Sequence, residues 1–193
     1  MRAPHLSLFL TYLPAAFRPN HMNTKHCVAT SLAVGAVGGM AGALAMNGFQ
    51  SLWSAASKSV AEAQGAKPQQ QESQDDDATQ KTADAISQAA TGHHLTKAEK
   101  EKAGPAVHFG IGTLLGAVYG VAAETLPISG LGRGTIYGAS VWLFADEIAV
   151  PAFGLSGSPT KTPLSTHLNA LSSHVVFGFT TDLVRRIILR TAD

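Results

Sequence analysis

His108, Asp146, Glu147, His167 and His174 are the residues whose chemistry is most at odds with their surroundings, because each falls in a stretch otherwise dominated by Gly, Ala, Val, Leu and Phe. Imidazole and carboxylate together suit two kinds of chemistry. Three such groups can hold a divalent metal such as Zn, Mn or Fe and leave a coordination position open. A desolvated imidazole–carboxylate pair can instead exchange a proton near neutral pH, because burial disfavours the charged form of each. A third reading, the default for polar groups in an apolar bundle, is that they hydrogen-bond one another and fix helix register. A haem held by His108 and His174 is the least favoured of the metal readings.

Helical spacing narrows the set. His167 and His174 are seven residues apart and share a face that Thr181 continues. Asp146 and Glu147 are adjacent, about 100° apart on an α-helix, so one is expected to face inward. Asp146 is favoured, because it shares a face with the small residues Gly138 and Ala139. His108 shares its face with Tyr119 rather than Glu124. The expected site is therefore His108, Asp146 and His174, with His167 close behind and Asn47, Gln50 and Glu147 lining it. Glu124 and Asp182 form a second group, expected to pair with Arg133, Arg185 or Arg186 at the opposite end. No catalytic residue is nominated. There is no G-x-S-x-G, no H-E-x-x-H and no phosphate loop, and Gly130–Gly134 reads as a helix connection.

The elements that must position these residues are apolar stretches. Charged residues make up 14% of the 193-residue chain, against roughly 25% in a typical soluble domain. A membrane helix needs about 20 mostly apolar residues. Four stretches qualify: residues 28–53, 105–126, 134–153 and 166–189. The fold class expected is all-α, a polytopic bundle of four transmembrane helices in a lipid bilayer. A soluble bundle with these sequences would be left with almost no polar face. Pro105 suits a first helical turn, and Pro127 closes the second stretch. Gly35/Gly39, Gly38/Gly42, Gly112/Gly116/Gly120 and Gly130/Gly134/Gly138 recur every four residues. Such ridges let helix backbones approach closely, within one chain or between copies in a homo-oligomer.

Lys and Arg collect in cytoplasmic loops. Arg18 and Lys25, then Arg133, then Arg185, Arg186 and Arg190, fall on one side of a four-span topology. Both termini are expected inside, with residues 190–193 as a cytoplasmic tail. Residues 54–104 are expected outside as a polar, largely disordered loop, because Gln69–Asp77 cannot bury a core. Thr96 and Glu99 have capping-box spacing for a short interfacial helix in it. Residues 1–27 form a tail in which Met22 is an alternative start, making 1–21 an extension. One cysteine, Cys27, excludes an intrachain disulfide. A net charge of +1 and the lack of a basic patch with interleaved aromatics exclude a nucleic-acid partner.

From His108 onward the chain carries His108, Tyr119, Ala123-Glu124, Pro127, Ile148-Ala149, Pro151, Gly154-Leu155, Pro159, His174, Asp182 and Arg185-Arg186. In these residues and their intervals it resembles the YagU-like inner-membrane protein family of bacteria, over about the last half of the chain. Asp146 stands where that pattern leads us to expect a third His, and the loop of residues 54–104 departs in being Gln-rich. The resemblance implies a bacterial cytoplasmic membrane location and no particular reaction.

Overall fold

The computed structural model describes residues 24–65, 77–125 and 132–192. Residues 1–21 and the Gln-rich run at 69–76 lie outside the described residues. Among the described residues all regular structure is helical. Helix α1 is Thr24–Ala63, α2 is Ala78–Thr91 and α3 is Lys97–Thr125. Helix α4 (Gly132–Val141) passes directly into a π-helical segment, Trp142–Ala149, and the short α5, Val150–Ala152. A 3-10 turn at Pro159–Lys161 then leads to α6, Leu164–Ala192. Among the described residues two helices, over Cys27–Ala63 and Lys97–Glu124, are long and apolar enough to cross a membrane. At 1.5 Å per residue the 40 residues of α1 reach about 60 Å, roughly twice a hydrocarbon core.

Glycine decides how the long helices meet. Gly35 of α1 lies on the backbone of Gly116 and Gly120 of α3, and Gly39 on that of Gly112 and Gly116. Numbers rise on one helix as they fall on the other, so α1 and α3 are antiparallel. The other pair on α1, Gly38 and Gly42, meets Thr181 and Phe177 of α6. Gly134 and Gly138 of α4 meet Gly178, Asp182 and the His174 backbone of α6. Lateral order is thus α3, α1, α6, α4, with alternating direction. The start of α1, the end of α3, the start of α4 and the end of α6 share one end of the bundle, here the basic end. Helix α2 and residues 153–164 belong to the other, here the α2 end.

The expectation of a largely disordered 54–104 loop does not hold for its described residues. Helix α1 runs on to Ala63, and α2 is a full helix of Ala-rich sequence, a strong helix former. Asp77, hidden in an acidic run, is its N-cap and accepts from the backbone amides of Thr79 and Gln80 at 2.9 and 2.8 Å. Gly92 closes α2 in the left-handed region at φ 76°. Pro105 is likewise not in a first turn. The capping box forms, with the Thr96 amide donating to Glu99 at 2.8 Å, but it starts α3 itself rather than a separate interfacial helix. Pro105 therefore lies inside α3.

One carboxylate pins the α2–α3 corner. Asp84 accepts from the Leu95 amide at 2.6 Å, faces His94 Nδ1 at 3.0 Å and lies 3.4 Å from Lys100 Nζ. The Leu95 amide, then His94, hold its carboxyl below the ordinary 3.8. A depressed folded value means the contribution is present above the ordinary value and lost as pH falls through the folded one. Asp84→Ala should speed hydrogen exchange at the Leu95 amide by about tenfold at pH 7, and the difference from wild type should shrink below pH 4. Equal exchange rates at pH 7 would show that the corner does not depend on this carboxylate.

Candidate functional site

A half-open cavity of about 470 Å³ lies toward the α2 end of the bundle. Helix α1 contributes Asn47 and Gln50 to its wall, α3 contributes His108, the π-helical segment Asp146, and α6 His174; the N-cap Asp77 and Thr79 and Thr82 of α2 also line it. Three of the four expected site residues, and two of the three expected lining residues, thus share one cavity.

Backbone direction explains the meeting of Asp146 and His174. A helical side chain leans toward the N-terminus of its own helix. The Asp146 and His174 helices are antiparallel, so Asp146 leans toward the basic end and His174 toward the α2 end. Asp146 Oδ2 and His174 Nδ1 come within 3.6 Å, and Nδ1 also donates to the Ala170 carbonyl at 3.0 Å. His174 is buried, whereas the Asp146 side chain stays 37% exposed, on the cavity side. His108 Nε2 is buried without a hydrogen-bond partner.

The π-helical segment was not legible as such. Its Val150 amide reaches back to the Ala145 carbonyl, five residues earlier. Pro151 follows at once. A proline ring clashes with the carbonyl four residues before it, here Glu147, and a widened turn relieves that contact. The 100° α-helical step assumed between Asp146 and Glu147 therefore does not apply, although the two side chains still diverge. Such wide turns are frequent at functional sites.

His167 is not close behind the others. Its Nδ1 lies 2.6 Å from Glu147 and its Nε2 donates to the Pro159 carbonyl at 3.1 Å. Both ring nitrogens face oxygen acceptors, an arrangement that suits an imidazolium. This pair ties the Pro159–Lys161 turn to the bundle, and neither residue lines the cavity. Among the described residues no group of three His, Cys, Asp or Glu is placed to hold a metal ion.

The second polar group assembles at the basic end. Arg185, 5% exposed, donates to Glu124 of α3. Asp182, 1% exposed, accepts from Arg186 Nε at 2.8 Å. Arg133 donates to the Ala123 carbonyl in the last turns of α3, where the helix dipole favours a cation. Sequence reasoning missed the two tyrosines beside this group. The fully buried Tyr119 hydroxyl faces Asp182. The geometry leaves both that hydroxyl and Asp182 Oδ1 just short of a hydrogen bond, so a small rotation would satisfy the two together. Tyr137 donates to the Leu115 carbonyl at 2.8 Å, and its ring packs on Tyr119 at 4.5 Å between centroids. A buried aromatic carrying a hydroxyl needs such a partner, and that was the available signal.

Residues 52–183 match the model of a family described as a protein of unknown function, DUF1440. The matched stretch includes all the cavity's titratable residues and stops just before Arg185 and Arg186. No curated protein and no solved structure matches the chain.

Proposed function

The chain belongs to the DUF1440 family, and from that premise and the cavity's geometry we propose that it is an integral membrane protein with a proton-responsive binding site on His108, Asp146 and His174. In this reading α1, α3, α4 with its π-helical continuation, and α6 are four membrane spans, and α2 lies outside. Support comes from the inverted distribution of polarity. Large apolar side chains are exposed on every one of these helices, among them Leu44, Leu114, Phe144 and Ile187, while Ser173, Thr181, Asp182 and Arg185 are buried. A water-soluble bundle does the reverse, and lipid favours small residues at helix contacts. The clustering of Arg133, Arg185, Arg186 and Arg190 at the basic end supports a cytoplasmic location for both termini. The YagU-like resemblance fits a bacterial cytoplasmic membrane.

The observation that carries the site is the 3.6 Å approach of Asp146 to His174, in a cavity where His108 Nε2 has no partner. That nitrogen belongs to a cavity-lining residue, so a bound group could satisfy it. In purified protein, lowering the pH from 8 to 5 should shift the backbone amide resonances of cavity-wall residues such as Phe177 and Val150, and Asp146→Asn should remove most of that shift. Cavity-wall resonances indifferent to pH, or a response unchanged in Asp146→Asn, would overturn the reading.

A further inference from the structure

We propose that this cavity takes an amphiphilic organic cation, entering sideways from the lipid between α3 and α4. The inference rests on the reading of the cavity as a binding site in a membrane protein. Entry between these helices follows from how they meet. Their backbones do not pack closely as those of α1 and α3 do. Long side chains bridge them instead: Tyr137 to the Leu115 carbonyl, Tyr137 against Tyr119, and Arg133 to the Ala123 carbonyl. All three bridges lie toward the basic end. Toward the α2 end Ile111 of α3, Val141 of α4 and Val150 of the short α5 all line the cavity. Ile111 lines the cavity and is 44% exposed, as a residue at the rim of an opening would be.

The lining specifies the ligand class. Met46, Ile111, Leu115, Val150 and Phe177 offer an apolar body its surroundings, and cavities of about 300–1,000 Å³ are the size that holds small organic ligands. Among the described residues the charged groups lining the cavity are Asp146 and Asp77, and no Lys or Arg lines it. An anion would meet repulsion and find no donor of positive charge except a protonated His. A cation of any kind, a quaternary ammonium included, meets the exposed side of the Asp146 carboxylate, and one that carries an N–H can also donate to His108 Nε2. Protons compete for the same place. The groups facing Asp146 are His174 on α6, His108 on α3 and the neighbouring Glu147, while Asp77 adds its field. Acidification adds positive charge at the imidazoles and removes it from no group, so cation binding should weaken as pH falls.

The test is calorimetric titration of the full-length protein in nanodiscs with benzyltrimethylammonium, whose charge is fixed, so that any pH effect belongs to the protein. Saturable one-to-one binding is expected at pH 8, about tenfold or more weaker at pH 5 and in Asp146→Asn, with 4-phenylbutyrate bound far less tightly at pH 8. Ile111→Trp should slow association by narrowing the rim. Equal binding of the anion, binding indifferent to pH, or no saturable binding overturns the ligand class using wild-type protein alone. The pH response of the cavity-wall resonances in the same nanodiscs without probe separates the two claims. A normal response with no cation binding removes the ligand class only, whereas a cavity indifferent to pH removes the underlying reading.

Discussion

Gly116→Leu should lower the thermal midpoint of the purified protein by roughly 10 °C, whereas Gly110→Leu on the same helix should leave it within about 2 °C. The difference is purely one of space. A Cβ on Gly116 would sit 2.6 Å from the Gly39 nitrogen, against backbone that cannot rotate away, whereas one on Gly110 meets nothing within 4 Å. Overpacking of this kind costs about 1–3 kcal/mol and sometimes more. Here the obstruction is main chain on both sides, so α1 and α3 must separate along the Gly35–Gly39 and Gly112–Gly120 ridges. If the two variants melt alike, the crossing is not held by glycine contact.

The second large effect is expected at the basic end. Removing Glu124 leaves the Arg185 guanidinium, only 5% exposed, without its carboxylate and with an Nε that already has no partner. Breaking a buried pair by deleting one partner typically costs about 3–5 kcal/mol. Glu124→Ala should fall near the low end, because the Glu124 side chain is itself 39% exposed and water can reach the pair. Arg185→Met in the same background should recover a large part of the loss by removing the orphaned charge. Denaturation of the wild type, both single variants and the double variant measures this as an interaction energy. Strict additivity of the two single effects would mean that the pair is not energetically coupled.

Much of this arrangement could be read from residue spacing, and the failures have specific physical causes. Four-residue glycine repeats announced the helix contacts, because nothing but missing side chains lets backbones approach so closely. The sequence also nominated His108, Asp146 and His174 for one site and grouped Glu124 and Asp182 with the arginines. It did not say which arginine each would take: Glu124 pairs with Arg185, Asp182 with Arg186, and Arg133 turns to a carbonyl. Composition misled at α2, where an acidic, Gln-rich run conceals the N-cap Asp77 of a helix that follows immediately. The π-helical turn was beyond α-helical periodicity, because a five-residue hydrogen-bond step changes the phase of every residue from Trp142 to Ala149. His167 was grouped with His174 by helical face alone. The longer-range attraction of Glu147, set by the chain's return past Pro159, decides its place instead.

The most direct test of the four-span reading is cysteine accessibility in intact spheroplasts, in a Cys27→Ser background with single exposed positions converted. Ala89→Cys on α2 and Thr160→Cys within the 3-10 turn should react with a membrane-impermeant maleimide. Thr191→Cys at the end of α6 should stay unlabelled until the membrane is opened. Labelling of position 191 in intact spheroplasts with position 89 protected would invert the topology and move the cavity to the cytoplasmic side. Equal labelling of all three without opening the membrane would contradict a membrane-spanning bundle altogether.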